Sequence, residues 1–276
     1  MIPPVSDWRP TKILRHIETI STSCNPIVVE TDAGIGYLKA INNAQGVDAL
    51  VCELLGTALA RWLELRTFDA AVINIGTTPE LPLRPGMIAV PGPSFITREM
   101  VGAPWGGGRA YLGGLENPDD IARLVLFDTW LQNIDRFPPV ESGFQPNYDN
   151  VFFTRSVAKA GHYVLIAIDH THCFGGSALD LHLKDKAYIQ DESVYGLFPE
   201  FRNRINMDAV AAGIAQMERL TRADVNELIS SLPTEWSPAP SIKEALATFT
   251  IDRAQYLVSN FEATIESQME LDLHED

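Results

Sequence analysis

The sequence predicts an α+β fold in two parts: a small antiparallel sheet with one helix, then a mainly helical half carrying an inserted β-hairpin. Three observations predict it. Two apolar runs, 26–30 (PIVVE) and 36–41 (GYLKAI), flank a Thr-Asp-Ala-Gly-Ile turn and read as a hairpin. Apolar residues recur at three- and four-residue spacing from Val47 to Trp62, which predicts a helix over 46–65. Three more helical patterns, 207–219, 222–231 and 241–270, fill the end of the chain.

The remaining elements follow in order. Residues 1–25 lead into a first strand, and 70–75 (AAVINI) read as a buried strand. Gly and Pro crowd 76–118, with room for short strands at 87–90 and 95–98. Chains change direction where these residues concentrate. That places the boundary between the parts near 99–115, with an N-lobe over 1–100 and a C-lobe over 101–276. Asn117-Pro-Asp-Asp reads as a helix start, with Asn117 as the cap and acids in the first turn, and the helix runs to about 132. VFFT (151–154) and YVLIAID (163–169) form a second hairpin around Lys159-Ala-Gly. Thr221 is placed to cap the helix that follows it. The acidic tail from Glu270 to Asp276 reads as surface.

Composition narrows the function classes. A net charge of −15 repels phosphate backbones and argues against direct nucleic-acid binding. No run reaches the roughly 18 apolar residues of a membrane span, and the N-terminus lacks the apolar core of a signal peptide. Cys24, Cys52 and Cys173 are an odd, sparse set with no CxxC pattern, which argues against a disulfide framework. The expectation is a cytoplasmic protein with no membrane partner.

Several residues can carry chemistry, and each also has an ordinary structural reading. Lys39 sits in an apolar strand whose alternation puts Leu38 and Ala40 on one face and Tyr37, Lys39 and Ile41 on the other. It is either a solvent-facing edge lysine or a phosphate-binding one. Glu53 lies on the next helix among small neighbours, Gly56 and Thr57, that allow close packing. It either faces water or pairs with Lys39, as a kinase helix glutamate does. Asp135 ends a helix-and-loop segment; it is a loop residue or a general base. Asn150 and Asp169 bracket the second hairpin. They are turn and strand-end residues, or the oxygen ligands that Mg²⁺ requires. His170-Thr-His172-Cys173 lacks a second Cys/His cluster in the sequence, so packing around Asp169 is favoured over zinc. Gly106-Gly-Gly-Arg109 reads as a connecting loop that can bring Arg109 near phosphate.

The stretch LFDTWLQNIDR…NYDNVFF…LIAIDHTHCF resembles the catalytic segment of the HipA-like kinases and, more distantly, of the phosphatidylinositol kinases. GYLKAINNAQGVDALVCELLGTALARWLEL resembles that family's lysine strand and the E-L-L-x-x-x-L-A helix after it. The resemblance covers about residues 12–175. It implies a two-lobed protein-kinase-like fold that binds ATP and Mg²⁺ between its lobes and transfers phosphate to a protein or small-molecule hydroxyl. It also implies roles: Lys39 on the ATP phosphates, Glu53 as its partner, Asp135 as catalytic base, and Asn150 and Asp169 on the metal. A purine needs an apolar slot with a few backbone hydrogen bonds. The expected hinge is Glu99, Met100, Val101 and Gly102, with Ile88 to Val90 as the other candidate.

Two departures bear on function. Asp135 and Asn150 are separated by about ten residues more than in the kinase H-R-D-x-x-x-x-N segment. The first hairpin turn, TDAGIG, has only two glycines with which to cover phosphates. Both keep two other readings open: a nucleotide-binding pseudokinase or regulatory module of the same fold, and a partner-binding protein without nucleotide.

Overall fold

The computed structural model describes residues 1–3, 5–22, 24–139, 143–176 and 178–271. The acidic tail beyond 271 lies outside the described residues. The protein has an α+β fold, with an antiparallel-sheet N-terminal region and a helical C-terminal part. Among the described residues no helix is long and apolar enough to cross a membrane.

Five strands form the first sheet: β1 (Ile13–Thr19), β2 (Ile27–Thr31), β3 (Gly34–Lys39), β4 (Ala70–Ile75) and β7 (Gly92–Arg98). Their order is β1-β2-β3-β7-β4, and every pair is antiparallel. Alternation sorts their side chains. Leu38 and Ile96 join Trp8, Ile27, Val29 and Ile73 in one apolar cluster, while Phe95 belongs to the main core on the other face. The first strand starts at Ile13, but its two-residue period is hard to read because the ladder shifts register twice, at Ile13/Arg15 and His16/Glu18. A small β5–β6 hairpin (Pro82–Arg84, Met87–Ile88) occupies part of the Gly/Pro-rich stretch. The expected strand at 95–98 extends back to Gly92.

Helix α1 (Val47–Trp62) is buried nearly all round rather than on one stripe. A helix of that kind sits between two layers. Its Leu50, Leu55 and Leu59 share the main core with Leu126, Phe127 and Trp130 of α2 (Asp119–Leu131), and Trp62 meets Trp130 at 6.0 Å. The short link from β3 to α1 is held by Asn43. Its amide donates to the carbonyls of Ala40 (2.9 Å) and Gly46 (3.1 Å), and its side-chain oxygen accepts from Gln45 N–H (2.8 Å). That staple fixes the lysine strand relative to the helix that follows.

A second sheet, ordered β10-β9-β8, comprises β8 (Gly102–Pro104), β9 (Val151–Thr154) and β10 (Val164–Ala167). Strand β8 was expected to be connection. Its glycine is a close-approach residue: a Cβ on Gly102 would run into the Phe152 ring and the Phe153 carbonyl. Asn117 also departs from expectation. It does not cap α2; its side chain brackets Leu165, accepting from the N–H (2.9 Å) and donating to the carbonyl (2.9 Å), and so ties the helix start to β10.

The end of the chain folds as α3 (Lys186–Ile189), α4 (Met207–Met217), α5 (Arg222–Ser230) and α6 (Pro240–Leu271). The last three lie within two residues of their predicted bounds. Thr221 caps α5 by accepting from Asp224 N–H at 3.2 Å.

Candidate functional site

Lys39, Glu53 and Asp169 meet in one place. The ammonium pairs with Glu53 and, at 3.1 Å, with Asp169 Oδ1. Each arrives there for a local reason. Lys39 faces away from the apolar cluster because Leu38 and Ala40 face into it. Glu53 is buried on the inner side of α1, where its Oε2 accepts from His170 N–H at 3.1 Å. Asp169 follows β10 in the left-handed region, φ 55°, which turns the chain sharply off the strand. Asp and Asn tolerate that conformation better than most residues.

Gly56 sets the spacing between α1 and this turn. A Cβ there would lie 2.7 Å from His170 Cβ and 3.4 Å from Cys173 Sγ. Alanine in a helix ordinarily stabilises by up to ~1 kcal/mol over glycine. Here overpacking wins, so Gly56→Ala is expected to destabilise by about 1–3 kcal/mol in urea unfolding. A gain in stability would show that the packing relaxes at no cost.

Electrostatics follow from burial and proximity. Burial works against the Lys39 charge, but Asp169 and Glu53 outweigh it and hold the ammonium pKa above its ordinary value. Burial also works against the Asp169 carboxylate; Lys39 and the Thr171 hydroxyl outweigh it and hold that carboxyl well below the usual range. Burial pushes Glu53 up, with Lys39 pulling the other way. Asp169 Oδ1 takes every donor: Lys39, the Thr171 hydroxyl (2.6 Å) and Thr171 N–H (3.4 Å). Among the described residues none donates to Oδ2. An unengaged carboxylate oxygen beside the Asn150 segment suits a hard cation.

Asp135 and Asn150 are joined despite the residues between them. Asn150 Nδ2 donates to Asp135 Oδ2 at 2.8 Å. The intervening loop is closed at its base, where Asn147 N–H donates to the Arg136 carbonyl at 2.9 Å. Asn147 adds side-chain bonds to Asp135 Oδ2 (3.3 Å) and Asn150 Oδ1 (3.2 Å). His172 Nδ1 lies 3.6 Å from the same Asp135 oxygen. Among the described residues nothing donates to Asp135 Oδ1.

Arg136 organises the whole constellation. It is fully buried, paired with Asp128, and donates to the carbonyls of Asn150 (3.2 Å) and Ile168 (2.7 Å). One guanidinium, on the residue after Asp135, therefore clasps Asn150 and the residue before Asp169. The sequence pattern assigns no role to Arg136 or Asn147. The fork geometry of arginine was the available signal for the first; nothing in the sequence marks the second.

Lys39, Glu53 and Asp169 open onto a cleft of ≈ 390 Å³ lined also by Tyr37, Thr97, Met100, Phe152 and Ile168, whereas Asp135 and Asn150 lie outside that lining. Of the expected hinge, Met100 and Gly102 line it while Glu99 and Val101 do not. Glu99 N–H donates to Ile35 O (2.9 Å), and the Val101 carbonyl accepts from Thr154 Oγ1 (2.6 Å). No described residue bonds the backbone N–H or carbonyl of Met100. Ile88, Val90 and Arg109 are exposed and lie outside the cleft lining.

One expectation is corrected. The TDAGIG turn is a hairpin turn, but it does not cover the site. Thr31 pairs with Gly34 at the turn, whereas Ile27 pairs with Leu38 beside the lysine. The turn therefore lies at the far end of β3. The loop at the lysine end is the β1–β2 connection, which contributes Ile20 and Pro26 to the cleft. His170 fills core space: it is buried edge-on to Phe127 at 5.1 Å, neither ring nitrogen has a partner among the described residues, and burial keeps it neutral.

No family model and no curated protein sequence matches the chain. Among solved structures, it is similar to one described as a Helicobacter pylori proinflammatory kinase, CtkA. The TM-score is 0.60 over 95% of this chain and 99% of that one, at 12% identity. At that identity the likeness is one of fold.

Proposed function

We propose that this protein is an ATP- and Mg²⁺-dependent phosphotransferase of the HipA-like kind, acting on a serine or threonine hydroxyl in the cytoplasm. The observation that carries the reading is the lysine shared by Glu53 and Asp169, with Asp135 tied to Asn150 beside it. In this reading Lys39 binds ATP phosphate oxygens, and Glu53 keeps its ammonium aimed into the cleft. The purine lies against Met100, whose backbone N–H and carbonyl supply the edge contacts that a base needs. Asn150 and Asp169 hold Mg²⁺, which when bound neutralises phosphate charge.

Asp135 has one oxygen oriented by two amides and the other unengaged. The unengaged oxygen takes the proton as the acceptor hydroxyl attacks the γ-phosphorus and the bond to the β-phosphate oxygen breaks, releasing ADP. Positioning and charge neutralisation supply most of the rate.

The test is a calorimetric titration with ATP, with and without Mg²⁺, followed by a γ-phosphate transfer assay on candidate protein acceptors. Tight, metal-strengthened binding is expected. Asp135→Asn should leave that binding within a few-fold of wild type and cut transfer by about 10²–10⁴-fold, the range for loss of a general base. Absence of ATP binding overturns the reading. Binding by both proteins with no transfer by either, across a broad set of acceptors, points to a pseudokinase.

A further inference from the structure

The roof of the cleft departs from the protein-kinase pattern at one position. In V-A-I-K a small alanine stands two residues before the lysine; here Tyr37 stands two residues before Lys39. The strand period puts both side chains on the same face, and both line the cleft. Tyr37 pairs with Val28 on one side and Thr97 on the other. Thr97 leads into the Glu99–Gly102 segment, so the ring lies on the hinge side of the lysine. It is half-buried; burial, with Glu99 and Glu18 nearby, raises its pKa and keeps the hydroxyl neutral.

The other sheet contributes Phe152 to the same lining. Its ring is 7% exposed and is held on two sides: Phe68 meets it edge-on at 5.0 Å, and Gly102 leaves the space it occupies. Tyr37 and Phe152, on separate sheets, therefore line one cavity together with Phe68 and Phe95, and Met100, whose backbone no described residue bonds, lines it too. Every nucleobase has a π-face, and stacking on aromatic side chains contributes to affinity whatever the base.

We propose that Tyr37 and Phe152 clamp the nucleobase between them, so that stacking supplies much of the nucleotide affinity and a bare polyphosphate binds weakly. This rests on the cleft being the nucleotide site. The rings do not discriminate among purines; that choice falls to the Met100 backbone.

The experiment titrates the full chain calorimetrically with ATP, adenosine and inorganic tripolyphosphate, for wild type, Tyr37→Phe, Tyr37→Leu and Tyr37→Ala. The Leu and Ala variants should bind ATP and adenosine roughly tenfold or more weakly. Their tripolyphosphate affinity should stay within about twofold, a few tenths of a kcal/mol, which also shows that they are folded; Tyr37→Leu keeps the bulk without the ring. Tyr37→Phe should match wild type. ATP binding by Tyr37→Leu or Tyr37→Ala as tight as wild type, or tighter, overturns the clamp while leaving the nucleotide site standing. Wild-type binding of tripolyphosphate without adenosine or ATP shows the ring closing the slot and also overturns it. Binding of none of the three probes removes the nucleotide reading, and the clamp falls with it.

Discussion

Asp169→Asn is expected to abolish the strengthening of ATP binding by Mg²⁺ while the protein stays folded. The backbone makes the substitution benign, since Asn accepts the left-handed φ of 55° as readily as Asp. Lys39 keeps Glu53 as a partner, so no buried ammonium is left uncompensated. The change falls on the cation. Oδ2, to which no described residue donates, is replaced by an amide or rotates to bring one into its place, and hard cations take oxygen ligands. Loss of an outer-shell partner costs tenfold to a hundredfold in metal affinity. Loss of a direct carboxylate should exceed about 100-fold in MgATP affinity, with ATP binding in EDTA within a few-fold of wild type. Parallel titrations measure both. Wild-type MgATP affinity in this variant would make the second hairpin purely structural.

That prediction rests on residues that local pattern exposes. Lys39 stands out because a lone cation in GYLKAI must take the face that Leu38 and Ala40 do not. Glu53 stands out because Gly56 and Thr57 leave room for α1 to approach another element. Asn150 and Asp169 sit at the two open ends of a hairpin, so antiparallel pairing alone brings them together: Val151 pairs with Ala167, and Ile168 N–H reaches the Asn150 carbonyl at 3.2 Å. Each inference needs only a strand period, a helix period or one hairpin.

Where long-range arrangement decides, the sequence is silent or misleading. Which hairpin end covers the lysine depends on where β1 pairs, and two bulges obscure β1 itself. VFFT is buried throughout, so alternation cannot show that Phe152 alone of its strand reaches the cleft. Asn117 looks like a cap because caps are local; it does reach Asp120 in the first turn, but its side-chain oxygen goes to Leu165, 48 residues away. Gly102 looks like a breaker, because a Phe152 ring across the sheet is invisible from its neighbours. Asn147 sits in the segment between Asp135 and Asn150, where no periodicity constrains it.

Arg136→Met should be the most destabilising single change in the site. The guanidinium has no solvent exposure, and neither has the Asp128 carboxylate it neutralises. Asp128 Oδ2 already lacks a partner among the described residues. Methionine approximates the volume and leaves a buried anion with only Asn133 donating to it, at 3.2 Å. Breaking a buried pair from one side costs about 3–5 kcal/mol. Removing both charges should recover most of that, so Arg136→Met with Asp128→Leu is expected to be more stable than Arg136→Met alone.

The pH dependence separates this cause from simple loss of packing. Burial raises the Asp128 pKa even with Arg136 present, and it must rise further without it. A carboxyl with a folded pKa above its unfolded value binds its proton more tightly when folded, so stability falls as pH rises. The deficit of Arg136→Met relative to wild type should therefore shrink as pH drops from 7 toward 5, and the double variant should show no such trend. Urea unfolding across that range reads both. A deficit under about 1 kcal/mol, or one that is flat with pH, would mean Asp128 is solvated or protonated regardless. Function should suffer even where the double variant is stable. The carbonyls of Asn150 and Ile168 lose their shared donor, and with it the link that sets Asn150 and Asp169 against Asp135. The double variant should bind ATP in EDTA normally and gain little from Mg²⁺.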